Sequence, residues 1–448
     1  MAAIIHLVQT SSGKAHAKVS SLWGKRVYSL YFYLLSNVPG LRFEAISNIL
    51  HCWWFMGGRH PYKILELYSK YGDAQSWRDI YDPKPGHEPF VKGQFYSGGS
   101  FAGIGTTSII SERRPEVHRK MRNYLASAFS DPSVDAFVSL VRLLGSRKEG
   151  FNVSKTLQSL AFDITGDLSF GETFGALQSG EIVDVSNRFS ILQKVVLIIM
   201  GKKMKELTRD TKKNEELLLK AVESRVNRKT EHKDFLTRIL GDRDSSAVSD
   251  SQIAAHASDF VIAGSDTTAT TLSSLLFYLL KNRPVMIRLT NEIRNTFRQY
   301  EEITYNSTAS LPYLRAALLE AMRIYPPVPM GLPRVVPEGG DVVDGVFLPG
   351  GATVSTNPLA ACLLPERWIE ENEGDDFDCS QLFSLGARAC MGRNLAWLSF
   401  RTIVVKLWVY DLELVNTSMD WHGELQMHTL WRKPDLFIRA RNRQYLCN

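Results

Sequence analysis

From Ser249 to Asn282 the chain runs without a proline, and apolar residues recur at every third or fourth position. The segment opens on Ser249-Asp-Ser-Gln252, a capping-box pattern in which the serine side chain accepts from an early helical N–H. It stops at Asn282-Arg283-Pro284, because the residue before a proline avoids the helical region. At 1.5 Å per residue such a helix is about 45–50 Å long, enough to cross a whole domain. The fold must therefore be assembled around it. No linker rich in Pro, Gly or Ser divides the 448 residues, so the chain reads as an N-terminal segment 1–40 followed by a single domain, 41–448. From about residue 115 onward the pattern is mostly helical. A second helix follows Pro312 and is closed by Pro326-Pro327, and residues 335–356 read as a β-hairpin with a following strand. The fold class expected is mostly α with small β-sheets.

Composition excludes several function classes. With 44% hydrophobic and 22% charged residues the chain is an ordinary globular one, not disordered, collagenous or coiled-coil. Its net charge of +6 is scattered rather than gathered in a tail, which gives nucleic-acid binding no support. Cys52, Cys362, Cys379, Cys390 and Cys447 are odd in number and never paired as Cys-x-x-Cys, against a disulfide scaffold or a zinc site. The apolar stretches Ala2 to Val8 and Val27 to Leu35 are too short to span a bilayer, which takes roughly 20 residues. The aromatic run from Tyr28 to Leu35 suits either a membrane surface or packing against the protein body.

Chemistry concentrates in two places. Phe383-Ser-Leu-Gly-Ala-Arg-Ala-Cys-Met-Gly392 stands directly before an apolar helical run, Asn394 to about Tyr410. A cysteine at that junction faces the partial positive charge of a helix N-terminus and has Arg388 two residues away, so thiolate, a metal ligand, is expected. A lone cysteine is more often a small buried hydrophobe. In the long helix, Ala263-Gly264-Ser265-Asp266-Thr267-Thr268 interrupts good helix formers, and a local distortion of the hydrogen-bond ladder is expected there. Ala263, Gly264 and Thr267 share one face. That notch suits either helix packing or a flat ligand, and Asp266 sets an ionisable group beside the Thr267 hydroxyl for proton relay. Glu320 and Arg323 lie one turn apart, as an isolated pair usually a weak surface contact.

Taken together these motifs resemble the cytochrome P450 superfamily, from about Val27 to the C-terminus and in the family's order. The finer likeness is to fungal secondary-metabolite members such as the isotrichodermin hydroxylases. It is carried by Gly57-Gly-Arg-His-Pro-Tyr62, Ala74-Gln-Ser-Trp-Arg-Asp-Ile-Tyr81, Phe170-Gly-Glu-Thr-Phe-Gly-Ala176 and Leu332-Pro-Arg-Val-Val-Pro337. The resemblance implies heme b, iron protoporphyrin IX, with Cys390 as axial iron ligand. It implies cofactor contacts from Phe383 and Gly264, and catalytic proton guidance by Asp266 and Thr267. His118, Arg122 and Arg388 are expected to neutralise the heme propionates, His118 standing where the family usually has Trp. Glu320, Arg323 and Arg367, the last in Pro365-Glu-Arg-Trp368, would form a structural ionic knot behind the heme loop.

The implied function is a heme-thiolate monooxygenase that hydroxylates or epoxidises an apolar natural product, a terpenoid or polyketide, in fungal secondary metabolism. The one near match to a dinucleotide-binding loop, Gly103-Ile-Gly105-Thr-Thr-Ser108, fails at its last glycine. NADPH would then act only through NADPH–cytochrome P450 reductase, docking on the basic side near Arg388 and Arg393. The family's usual place is the cytosolic face of the endoplasmic reticulum. Three departures stand out, and one is that the family's hydrophobic N-terminal anchor is replaced by Met1 to Gly24, with Lys14, Lys18 and many serines, so the anchor reads as atypical or missing. Tyr71-Gly72 runs at once into Asp73-Ala-Gln-Ser-Trp77, where relatives place a strand, a turn and a strand, so two strands of the main sheet are expected to be lost. Only Cys362-Leu-Leu separates Ala361 from Pro365, and the segment 179–231 that should roof the substrate looks short. Two other readings fit the motifs: an oxygen-independent heme-thiolate isomerase or dehydratase, disfavoured by intact Asp266-Thr267, and a non-catalytic heme-binding truncated homologue.

Overall fold

The structure is a computed structural model that describes residues 4–6, 53–54, 57–63, 66, 75–82, 85–98, 106–125, 147–171, 173–179, 220–225, 227–228, 236, 249–304, 306–356, 365–369, 380–408, 410–427 and 430–442. The aromatic run 28–35, the Gly72-Asp73 junction, Gly103 and Gly105, most of 179–231, and Cys52, Cys362, Cys379 and Cys447 lie outside them.

Its strands and main helices are, in chain order, β1 (Ile4–His6), α1 (Gln75–Tyr81), β2 (Val91–Lys92), α2 (Pro115–Leu125), β3 (Phe151–Asn152), α3 (Val153–Phe170), α4 (Asp250–Lys281), α5 (Arg283–Thr296), α6 (Pro312–Ile324), β4 (Arg334–Val335), β5 (Asp341–Val343), β6 (Val346–Leu348), β7 (Thr353–Ser355), α7 (Arg393–Leu407), β8 (Tyr410–Leu414), β9 (Gln426–Met427), β10 (Trp431–Arg432) and β11 (Phe437–Asn442).

The long helix forms where its pattern places it. α4 covers 32 residues, about 48 Å. The Ser249 side chain accepts from the Gln252 N–H at 3.2 Å. The ladder is not interrupted at Gly264, contrary to the expected distortion. Instead the hydroxyls bond back within the helix: Ser265 donates to Val261 O at 2.6 Å, Thr267 to Ala263 O at 2.6 Å and Thr271 to Thr267 O at 3.0 Å. Back-bonding of this kind satisfies a buried hydroxyl without replacing a backbone bond.

Around α4 pack α3, α5, α6 and α7. The shared core includes Leu157, Leu160, Leu272, Leu275, Leu289, Leu314, Leu318, Ile403 and Val404, all at most 2% exposed. Asn152 caps α3 by accepting from Lys155 N–H, and Gly171, at φ 68°, closes it in the left-handed conformation open to glycine.

The β-structure is small and antiparallel. One sheet has the order β1-β7-β4-β2, another β3-β11-β8, and β5-β6 and β9-β10 form two-stranded pairs. Trp77, Ile80 and Tyr81 of α1 pack with Val336, Val343, Leu348 and Val354 into a separate core beside the first sheet. Ile4, Ile5 and His6 pair with Ser355, Val354 and Thr353, so part of the segment read as standing apart from the domain is a strand of its sheet. Among the described residues no helix is long and apolar enough to cross a membrane.

Candidate functional site

The cysteine loop is wound tightly by its own backbone. Cys390 N–H donates to Phe383 O at 2.8 Å and Ala389 N–H to Gly386 O at 3.1 Å. Ser384, at φ 58°, and Gly386, at φ 67°, adopt the left-handed region, a strained choice for the serine. Phe383 packs on Trp397 with ring centroids 6.3 Å apart, and Arg393 lies 5.7 Å over its ring. Cys390 is solvent-accessible although protein atoms crowd it closely. Met391, next to it, packs against the cluster that holds Ala257 and Val261 of α4.

One face of α4 is also open. Ala263 is exposed and Thr267 partly so, although Val261, Ile262, Ser265, Asp266 and Thr268 around them are buried. Those two share a face, as their spacing implies. Gly264 does something else: a Cβ there would lie 2.5 Å from Thr165 Cγ2, so its missing side chain is explained by the close contact of α4 with α3.

A surplus of cations surrounds the loop. Arg122 of α2 donates to Ala389 O at 2.7 Å, tying the helix to the cysteine. Arg388 donates to Glu112 O at 2.6 Å and Arg113 O at 3.0 Å. Lys92 is buried and donates to Ile109 O at 3.0 Å and Ile110 O at 2.6 Å. Arg334, also buried, lies 5.1 Å over the Tyr81 ring. Burial and the neighbouring Arg388 and Arg334 push Lys92 down to about 7, and burial with Arg334 beside it pushes Arg388 down to about 10. These groups repel one another in a poorly hydrated place and would be stabilised by an anion.

Three expectations need correction. His118 is buried, and desolvation, with Arg388, Lys92, Arg122 and Arg334 around it, holds it down at about 3. Among those cations alone it is neutral near pH 7, and a carboxylate placed beside it would raise it again. Arg388, expected on the basic docking side, turns its nitrogens onto the backbone carbonyls of Glu112 and Arg113, whereas Arg393 is exposed. The Cys390 thiol is raised by burial, against the lowering effects of the Gly392 N–H, Arg122 and Arg393. The protein alone does not favour thiolate; coordination to a metal would deprotonate the sulfur. Arg334 and Lys92 were not singled out by motif, since nothing local marks a strand arginine or lysine as converging on a cysteine loop.

Glu320, Arg323 and Arg367 meet in the structure. Glu320 is fully buried and accepts from Arg323 Nε at 2.8 Å and Nη2 at 2.7 Å, and from Trp368 Nε1 at 2.8 Å. Arg367 Nε stands 3.3 Å from the same carboxylate.

Heme b fits these residues. It asks for one sulfur ligand and for cations to meet two propionates, and both are present. No group of three His, Cys, Asp or Glu residues forms an all-protein metal site among the described residues. Among the described residues, an accessible cysteine just before a helix N-terminus, with a cluster of buried and half-buried cations near it, is the arrangement of a heme-thiolate protein. The chain belongs to the cytochrome P450 family, whose model matches residues 98–420, and is a monooxygenase of the fungal secondary-metabolite type.

It is 43% identical to "Cytochrome P450 monooxygenase ORF11" of Penicillium roqueforti, covering 86% of this chain and 91% of that one. It is 34% identical to "Cytochrome P450 monooxygenase BipB" of Cochliobolus sativus, covering 93% and 94%. To "Cytochrome P450 monooxygenase aclL" of Aspergillus oryzae it is 33% identical, covering 93% and 95%. The alignment with BipB runs over 476 positions, more than the 448 residues of this chain, so that relative has positions without a counterpart here.

Proposed function

We propose that the chain hydroxylates or epoxidises an apolar natural product, a terpenoid or polyketide. Electrons would come from NADPH through NADPH–cytochrome P450 reductase, at the cytosolic face of the endoplasmic reticulum, with Arg393 on the docking side. The observation that carries this reading is Cys390 in its wound loop, with the buried Lys92 and Arg334 and the half-buried Arg388 close by. Heme b, ligated by Cys390, would supply dioxygen activation, one oxygen atom passing to substrate and the other to water.

The remaining roles fall to the protein. Arg122, Arg334, Arg388, Lys92 and His118 would meet the propionates, and Phe383 and Gly392 would flank the sulfur ligand. Ala263 leaves space on its face of α4, where the Thr267 hydroxyl would orient a proton and Asp266 would pass one on to it. Glu320, Arg323 and Arg367 keep the backbone behind the loop from moving.

The test is expression with a fungal reductase, a reduced carbon-monoxide spectrum, and product analysis under labelled dioxygen. A thiolate spectrum and label in the product are expected. Product formed without dioxygen would favour an isomerase or dehydratase, and a missing thiolate spectrum a non-catalytic homologue.

A further inference from the structure

Lys433 sits in the turn between β10 and β11, 167 residues along the chain from Asp266 of α4. Its Nζ donates to Asp266 Oδ1 at 2.6 Å and to Thr270 Oγ1 at 3.1 Å. Both charged side chains are nearly enclosed, Lys433 at 8% and Asp266 at 10% exposure. Gln158 Nε2 of α3 adds a second donor to the same oxygen at 3.2 Å. The other oxygen, Oδ2, is buried and has no hydrogen-bond partner among the described residues.

The turn itself is pinned. Ser154 Oγ and Trp421 Nε1 each donate to Pro434 O at 3.1 Å, and Leu436 N–H donates to Ser154 Oγ at 3.2 Å. Lys433 is thus presented to α4 by a scaffold that does not depend on Asp266. A buried carboxylate that lost this partner would be left with an uncompensated charge and would turn elsewhere.

We propose that Lys433 is the positioning residue for Asp266 in proton delivery, a role that rests on the monooxygenase reading. It engages Oδ1 together with Gln158, and so leaves the enclosed Oδ2 as the atom that takes a proton relayed inward by water and releases it toward the Thr267 hydroxyl. Lys433 keeps its own protons throughout, and Asp266 ends the cycle as it began. Thr267 lies one residue on, about 100° around the helix, with its hydroxyl turned onto Ala263 O.

The experiment compares Lys433→Met and Lys433→Arg in the heme-loaded enzyme with reductase, using 7-ethoxycoumarin as an apolar probe. Lys433→Met should lower kcat by about 10- to 100-fold, part of what a placed proton donor contributes, with KM changed less than about 2-fold. Product formed per NADPH should fall and peroxide rise, while Lys433→Arg restores most of the coupling. Thermal unfolding of Lys433→Met, Asp266→Asn and the double variant gives a readout independent of turnover. The double variant should be no less stable than the worse single one, since the two changes remove the same contact.

Unchanged kcat and coupling in Lys433→Met, or stability losses that add, would overturn the positioning role while leaving the oxygenase reading intact. A wild type with no thiolate spectrum and no use of dioxygen would overturn that reading instead, and the role with it.

Discussion

Replacing Glu320 by Gln keeps the shape of the side chain and removes its charge, leaving Arg323 and Arg367 facing a neutral amide. The carboxylate is completely buried, while the side chains of the two arginines are 16% and 18% exposed. Four donors converge on its two oxygens: two from Arg323, one from Trp368 and the more distant Arg367 Nε. An amide can accept at one oxygen only, and its NH2 would meet a donor. Removing one partner of a buried pair costs about 3–5 kcal/mol, and partial solvation of the arginines puts this case near the lower figure, ~3 kcal/mol. Against a typical total stability of roughly 5–15 kcal/mol, that is a loss large enough to lower folded yield and heme content. The assay is urea unfolding of the heme-loaded protein, followed by heme absorbance and tryptophan fluorescence together. A Glu320→Gln protein within about 1 kcal/mol of wild type would refute the argument, because a knot that can lose this carboxylate cheaply is not holding the loop.

Cys390→Ala should fold yet show no thiolate spectrum and no oxygenation; retained oxygenation would contradict the assigned ligand. Gly264→Ala should destabilise by about 1–3 kcal/mol through overpacking, because its Cβ would meet Thr165 Cγ2 at 2.5 Å. Thr165→Ser, which deletes that methyl, should restore much of the loss in the double variant, and failure of the rescue would sink the packing account. His256 is fully buried and burial lowers it to about 4, while its Nδ1 accepts from Ile109 N–H at 3.1 Å. Between its ordinary value near 6.5 and about 4 the unfolded chain binds a proton that the folded one does not. Stability is therefore lost as the pH falls through that window, by up to about 3 kcal/mol. His256→Gln should flatten the acid side of a stability-against-pH curve, and an unchanged slope there would count against it.

Local order was legible without the fold. The ends of α4 follow from Ser249 and Pro284, and those of α6 from Pro312 and Pro326. Caps and prolines act over a few residues, which is why spacing alone located them. The sulfur, the acid–alcohol pair and the Glu320 knot were legible for a related reason, since each is a short run or a one-turn pair whose members are neighbours in the chain. Arg367 was reached only through the family likeness.

Which charges meet was settled by packing. Lys433 reaches Asp266 across 167 residues because a turn pinned by Ser154 and Trp421 delivers it. Lys92 and Arg334 approach Arg388 because two strands pair beside the cysteine loop. His118 loses its charge, and the Cys390 thiol is raised rather than lowered, because desolvation in that crowded place outweighs what adjacent residues would do in water. The pairing of Ile4–His6 with β7 is of the same kind. Chemistry of neighbours along the chain determined the elements and the ligand; the low dielectric and the company of distant side chains, which exist only once the helices have packed, decided protonation and partners.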